Sequence, residues 1–303
     1  MIVVTGEALI DLVPLGEGAL AELQPALGGG PYNTAVALGR LGSPTAFLSR
    51  TSTDPFGNAL LEGLRSSGVD VSHVQRGPEP TTLAAATLDE NGAAAYSFYV
   101  DGTADRLFTA PAELPPGTEA VAFGTCSLVL EPGASAYERL MRDASAKGLF
   151  TLLDPNIRPG LISDPDAYRA RFRGWLPHVT LLKLSEDDMR WLAVTPLDLL
   201  ASGPSAVVVT HGSAGLSLFL PGGKVYPVPG DEVAVVDTIG AGDTVNAALL
   251  HGLSEMGVLS AAAMGGLSYE AWHRLLSFAA RAAALTCSRA GAEPPYASEL
   301  EDF

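Results

Sequence analysis

The chain has 303 residues, 47% of them hydrophobic, and a formal net charge of −16. That length and apolarity suffice to bury a large core, which excludes wholesale disorder, and the negative field excludes nucleic acid and anionic membrane as partners. Any phosphate must be met by local backbone groups and a cation.

In chain order, MIVVTG predicts a buried first strand: no basic region precedes it and Glu7 and Asp11 follow early, unlike a signal peptide. LIDLVPLGEGALAELQPALGG breaks from any helical pattern. The patterns NTAVALGRLG, TAFLSRTS and FGNALLEGLRSSG then alternate helix and strand. TTLAAATLDENGAAAYSFYV is a second interruption, with DENG composed like a hairpin tip. Alternation resumes through AVAFGTCSL, AYERLMRDASAKG, FTLLDPN, VTLLKLS and SAVVVTHG to VAVVDTIG, with helices after the last. This rhythm predicts an α/β fold, a mostly parallel sheet covered by helices on both faces. The two interruptions, about residues 9–27 and 82–101, are expected to form a small β-sheet lid on a single domain spanning 1–303; ordinary surface hairpins are the alternative. There is no fixed-period repeat, and no run of roughly 18 apolar residues to span a membrane. Cys126 and Cys287 lie far apart without metal-ligand spacing. The expectation is a soluble cytoplasmic protein with reduced thiols.

The stretch DTIGAGDTVNAALL carries the strongest chemical signal. EVAVVD predicts a strand, TIGAG a turn, and DTVNAALLHGLSEMG an amphipathic helix ending near Gly257. The amides of Gly240, Ala241 and Gly242 then stand at a helix N-terminus, where unpaired N–H groups and the macrodipole favour an anion. Asp243 leaves two readings. It is a helix-capping acid, or it is a base beside the anion, placed to take a proton from a hydroxyl that attacks phosphorus. No G-x-x-x-x-G-K-[ST] loop and no protein-kinase catalytic loop occurs. Nor does a G-x-G-x-x-G follow the first strand, as a dinucleotide-dependent oxidoreductase would require. A second glycine cluster, GGGPYNTAVALGRLG, gives close backbone approach at Gly28, Gly29 and Gly30, with Asn33 able to donate and accept toward a polyol. Asp11 can accept from two neighbouring hydroxyls. A tight turn and a solvated loop acid remain the alternatives for these two.

In this order the segments resemble the ribokinase-like (PfkB) family of carbohydrate and nucleoside kinases, fructokinase-like subgroup, over essentially the whole chain. GGGPYNTAVALGRLG and DTIGAGDTVNAALL carry the resemblance, with LLDPNIRPGL, LLKLSEDDMRWL and VVVTHGSAGL in support. It implies a Rossmann-like domain with a β lid, ATP as donor, Mg²⁺, and γ-phosphoryl transfer to a primary alcohol. By the resemblance Asp243 is the general base and Gly240, Ala241 and Gly242 its anion hole. Asp11, Gly28, Gly29 and Asn33 match sugar-contacting positions. Lys183, Ser185, Thr210, Gly212 and Gly215 match the nucleotide site, where His211 reads as structural. The family's N-x-x-E element stands here as Ser185-Glu186-Asp187-Asp188, making Glu186 and Asp188 the metal candidates although both end residues differ. FAARAAALTCSRAGAEPP resembles the segment lining the adenine and monovalent-cation sites, which leaves a K⁺ requirement open.

An acidic acceptor needs a cation aimed at its carboxylate. Gluconate kinases resemble Tyr-Tyr-Arg on the lid strand; this chain has Phe98-Tyr99-Val100, which favours a neutral sugar. Arg106 and Arg158 remain as other sources of charge, and Asp105 matches a fructokinase-like acid or is a solvated loop residue. The expected acceptor is fructose. The alternatives are 2-keto-3-deoxygluconate, then ribose or a nucleoside, or a sugar-binding protein without catalysis. Lid strands invite pairing, so a homodimer through the lid is expected.

Overall fold

The computed structural model describes residues 1–300 apart from 17, 19 and 89–93, so the expected hairpin tip DENG lies outside the described residues. The chain runs β1 (Ile2–Thr5), β2 (Leu9–Pro14), β3 (Leu23–Gly28), α1 (Gly30–Arg40), β4 (Thr45–Leu48), β5 (Arg50–Ser52), α2 (Pro55–Ser66), β6 (Gln75–Gly77), β7 (Leu83–Leu88) and β8 (Ala94–Tyr99). It continues through β9 (Ala120–Gly124), α3 (Gly133–Ala146), β10 (Phe150–Asp154), α4 (Pro165–Trp175), β11 (Leu181–Ser185), α5 (Glu186–Leu192), α6 (Pro196–Ala201) and β12 (Ala206–Thr210). It ends with β13 (Leu216–Leu220), β14 (Lys224–Val228), α7 (Ala241–Glu255), α8 (Ala261–Gly265) and α9 (Tyr269–Cys287).

Eight strands form the main sheet in the order β14-β13-β12-β11-β10-β9-β1-β4. From β4 to β12 every pairing is parallel, and β13 and β14 add an antiparallel edge. The alternating strand residues feed two cores. Ile2, Val4, Ala122 and Leu152 pack with Leu38 of α1, Leu249 of α7 and Leu276 of α9. Val3, Val121, Leu153 and Val207 pack on the other face with Leu140 of α3, Phe172 of α4 and Leu192 of α5. Burial on both faces explains why β9 and β10 read as unbroken apolar runs. Trp175 and Trp272 are fully buried within these cores.

β1 crosses to β4 on one side, whereas the later strands build outward from β9 on the other. The chain therefore reverses direction between β1 and β9. Such a switch point opens a crevice at the carboxyl ends of the strands.

A second sheet has the order β3-β2-β7-β8, with β2 and β7 parallel and the outer pairs antiparallel. Its Ile10, Leu12 and Leu83 join the core beneath α1 and α2, which seats this sheet over the crevice. One sequence expectation fails here. EVAVVD is not a strand: Val236 and Asp237 donate their backbone N–H to the Cys287 carbonyl at the end of α9, and Val235 and Val236 are exposed. A β-branched run left the sheet because its backbone found partners on a helix end. No helix of the described residues is long and apolar enough to cross a membrane.

Candidate active site

Two helix N-termini meet at the crevice. α1 starts after Gly29 at φ 105, where a Cβ would lie 2.8 Å from the Glu7 carbonyl oxygen. α7 starts after Gly240 at φ 78, where a Cβ would stand 2.7 Å from the Ala292 methyl. Both positions require glycine. Asp243 is the third residue of α7, and its carboxylate makes no capping bond to its own helix. Instead Oδ2 accepts a 2.9 Å hydrogen bond from Asn33 Nδ2 on α1, while Thr34 Oγ1 donates to the Asp243 carbonyl at 3.3 Å. Burial raises the Asp243 carboxyl to about 6; Asn33 opposes the rise, the Asp154 charge adds to it, and Lys183 and Arg158 oppose it. The group is ionised at neutral pH and more basic than an ordinary aspartate, as a general base requires.

Asp243 borders a cavity of about 350 Å³. The second sheet contributes Leu9, Asp11, Tyr96 and Phe98, and the strand ends of the main sheet contribute Glu7, Thr125, Asn156, Arg158 and Lys183. Burial lifts the Asp11 carboxyl to about 6, against the pull of Arg158. Glu7 accepts from Thr125 Oγ1 and, at 2.9 Å, from the Ser127 N–H; burial pushes it up to about 8. Thr125 sits at φ 57, a conformation that costs a threonine free energy and that the Glu7 contact holds in place.

Across Ser185, Thr210, Thr238 and Gly242 the cavity meets a larger cleft of about 970 Å³. Its walls include Gly212 and Gly215 in the turn after β12, Glu186 and His211 at the rim, and Val245, Ala280, Ala283 and Ala284 on an apolar side. His211 Nδ1 lies 2.7 Å from Glu186 Oε1, and Nε2 lies 3.0 Å from Ser217 Oγ. Gly215, at φ 100, lets the turn lie directly on the Val228–Gly230 backbone.

Most residues singled out in the sequence line one of the two spaces: Asp11, Gly29, Asn33, Phe98, Arg158, Lys183, Ser185, Asp188, Gly240, Gly242 and Asp243 the first, Ala241, Glu186, Thr210, Gly212 and Gly215 the second. Three readings are corrected. Gly28 is outside the cavity; it leaves room for the Asp11 carboxylate, and Gly30 takes its place on the wall. Asp105 is buried beneath the second sheet, accepting from Thr82 Oγ1 at 2.6 Å and Thr103 Oγ1 at 2.8 Å, so it ties loops together and does not meet a ligand. Asp188 closes a capping box with Ser185 and accepts the Ile157 N–H at 2.7 Å, which occupies both carboxylate oxygens. That bonding is poor ground for a metal ligand. Lys183 lies on the wall of the first cavity beside Gly242, which borders both spaces, its ammonium 2.9 Å from Asp154 Oδ2. Residues that sequence reasoning missed are Glu7, Tyr96, Thr125, Asp154 and Asn246. The period-2 placement of Tyr96 and Phe98 on one strand face was the available signal for Tyr96.

Glu7, Asp11, Asp105 and Asp243 all hold their protons to higher pH in the fold than in an unfolded chain, burial being the leading cause in each. The native state therefore binds more protons between the ordinary carboxylate range and about pH 8, and stability falls as pH rises through that window. The melting temperature is expected to be lower at about pH 8.5 than at about pH 5.5. Calorimetric scans across that range check it, and a rising trend would contradict the burial-driven shifts.

The fold and site together define a small-molecule kinase built without a Walker loop: a buried carboxylate at a helix N-terminus between a polyol-sized cavity and a nucleotide-sized cleft. A family model described as pfkB family carbohydrate kinase matches residues 1–299. The chain belongs to the pfkB family of carbohydrate kinases. It is 41% identical over 284 residues to a fructokinase of Rhizobium leguminosarum bv. trifolii, covering 89% of this chain and 85% of the relative. Among solved structures, the ATP-bound fructokinase of Xylella fastidiosa superposes with a TM-score of 0.88 at 28% identity, covering 96% of this chain and 93% of that one. A fructokinase of Vibrio cholerae O395, solved with fructose, ADP and calcium ion, superposes with a TM-score of 0.81 at 26% identity, covering 96% and 94%.

Proposed function

We propose that this sugar kinase is an ATP-dependent fructose kinase, transferring the γ-phosphoryl group to a primary hydroxyl of the sugar. The observation that carries the reading is Asp243, a buried carboxylate unused by its own helix and held by Asn33 where the two spaces join. The fructokinases it resembles, solved with ATP and with fructose and ADP, support both substrates.

In this reading the second sheet is a lid on a single domain. Fructose lies beneath it, with Asp11 accepting from neighbouring hydroxyls, Gly29 and Gly30 at its edge, and Tyr96 and Phe98 against its apolar faces. ATP lies along Ser185, Thr210 and the Gly212–Gly215 turn, with its base over Ala280, Ala283 and Ala284. Asp243 takes the hydroxyl proton as that oxygen bonds to the γ-phosphorus and the bridging oxygen leaves with ADP. The Gly240–Gly242 amides, at the start of α7, donate to the phosphoryl oxygens. Among the described residues no group of three or more acidic, histidine or cysteine side chains could hold a metal ion. Mg²⁺ is proposed to arrive with the nucleotide; Glu186 at the cleft rim would be the side chain to hold it, and the ion would neutralise phosphate charge. K⁺ is a further proposal, supported by a fructokinase double mutant of Vibrio cholerae O395 solved with fructose, ADP and potassium ion.

The Arg106 guanidinium is committed to the Glu131 and Val100 carbonyls and to Asp101. Among the described residues Arg158 is the arginine at the cavity wall, with Nη1 engaged by Asn156 and Ile157, so it is the guanidinium an acidic acceptor would have to use; the neutral acceptor is proposed on the absence of an arginine at Phe98-Tyr99-Val100. The test is ATP-dependent ADP release against fructose, ribose, 2-keto-3-deoxygluconate and adenosine. Saturable turnover on fructose upholds the reading, preference for the gluconate replaces the acceptor, and silence on all four supports a non-catalytic binder. Asp11→Asn is expected to raise KM for fructose about 10- to 100-fold, the effect of weakening charge-assisted hydrogen bonds, with a smaller change in kcat. Equal losses in kcat and kcat/KM would move Asp11 out of the sugar site.

A homodimer through the lid completes the proposal. Leu23, Leu27 and Tyr99 expose apolar surface on the edge strands of the small sheet. A dimeric mass at micromolar concentration is expected in light scattering; a monomer would remove this part.

A further inference from the structure

One buried polar cluster plays no part in the chemistry above. Asp154 ends β10, Lys183 lies on β11 and Asn246 lies on α7, and all three are nearly inaccessible to solvent. Lys183 Nζ donates to Asp154 Oδ2 at 2.9 Å, and Asn246 Nδ2 donates to the same oxygen at 2.7 Å. Asp154 Oδ1 and Asn246 Oδ1 have no hydrogen-bond partner. A Cβ on Gly242 would stand 2.7 Å from Lys183 Nζ, so the ammonium lies directly against the anion-hole turn. Gly242, Asp243 and Asn246 are spaced to share one face of α7.

We infer that Asp154 and Asn246 are positioning residues, a buried clamp that fixes the Lys183 ammonium against the anion hole to meet the transferred phosphoryl group. The inference rests on the kinase reading above. A buried ion pair is a poor stabiliser, since apolar replacements of the same shape are often as good or better. Its place against Gly242 gives it a different use. Phosphoryl transfer depends on charge that is already in position, and a free lysine would have to be ordered at each turnover. Asp154 holds the ammonium, and Asn246 fixes the Asp154 oxygen that does so. Asp154, Asp188 and Asp243 face Lys183 from β10, α5 and α7 and keep it protonated despite its burial.

The test is steady-state kinetics on Asp154→Asn and Asn246→Ala, each alone and in a Lys183→Met background, with ATP and ADP affinities measured calorimetrically without sugar. Asp154→Asn is expected to lower kcat about 10- to 100-fold with KM for fructose within about twofold, the signature of misplaced charge. Asn246→Ala is expected to act in the same direction by about 3- to 10-fold, and neither change should lower kcat further by more than about twofold once Lys183 is methionine. Additive losses in that background, or a raised KM with kcat unchanged, would overturn the clamp. If Asp154→Asn does not fold, Asn246→Ala carries the test, because it leaves the ion pair intact. If the wild type turns over no sugar, the kinase reading has failed separately. The preference for ATP over ADP then decides: a loss of about tenfold in either variant upholds the clamp, and an unchanged ratio ends it.

Discussion

Asp243→Asn is expected to lower kcat by at least about 10²-fold while leaving the affinities for fructose and ATP nearly intact. The amide keeps the shape of the side chain and can still meet Asn33, but it cannot accept the hydroxyl proton. The loss falls on kcat and kcat/KM alike, since the interaction is made only in the transition state. The same substitution is expected to stabilise the fold. Burial raises the Asp243 carboxyl from 3.8 to about 6, so its ionised form is the less favourable one inside the protein. Above pH 6 the native state bears that penalty, on the order of 3 kcal/mol, and a neutral isostere removes it. A higher melting temperature at pH 7.5 with a dead enzyme is the combined signature. Near-normal turnover would take the base role from Asp243.

The two glycine motifs were legible because their chemistry is local. Gly240 must adopt a left-handed conformation next to Ala292, and Gly29 must lie against the Glu7 carbonyl, so neither position tolerates a side chain. What joins the motifs was not legible. Asn33 meets Asp243 across 210 residues of chain, a contact made by the packing of α1 against α7 that no local pattern encodes. That contact supports the proposed base reading of Asp243, because its carboxylate bonds to Asn33 across the crevice.

The misreadings share a cause. EVAVVD has strand composition, yet a strand also needs a neighbour with free backbone groups, and Cys287 at the end of α9 was nearer. Asp188 was read as the end of an N-x-x-E element by resemblance. The S-x-x-D spacing from Ser185 is equally a capping-box pattern, and the structure uses it that way. Asp105 and Glu7 show the converse. Asp105, read as a sugar-contacting acid or a solvated loop residue, is buried on two threonines, while Glu7, noted only as an early charge unlike a signal peptide, lines the cavity.

Gly242→Ala is the second large effect expected. Gly242 lies in the first turn of α7, where alanine is a better helix former than glycine by up to about 1 kcal/mol. On propensity alone the variant gains stability. The new methyl, however, would stand 2.7 Å from Lys183 Nζ, closer than any settled contact allows. A free lysine would swing aside at little cost, but this one is buried and held by Asp154 at 2.9 Å. Either the ammonium or the anion-hole turn must therefore move, by a substantial fraction of an ångström. Displacements of that order at a transfer site cost about 10² in rate. The expected result is a kcat reduced about 30- to 300-fold, KM for fructose unchanged, and a melting temperature below the wild type's, because displacing the buried ion pair outweighs the propensity gain. In the proposed arrangement fructose is held by Asp11 and the second sheet, so KM reports on the sugar contacts and kcat on the shift at Gly242. A variant with wild-type kcat would mean that phosphate and lysine do not meet at Gly242.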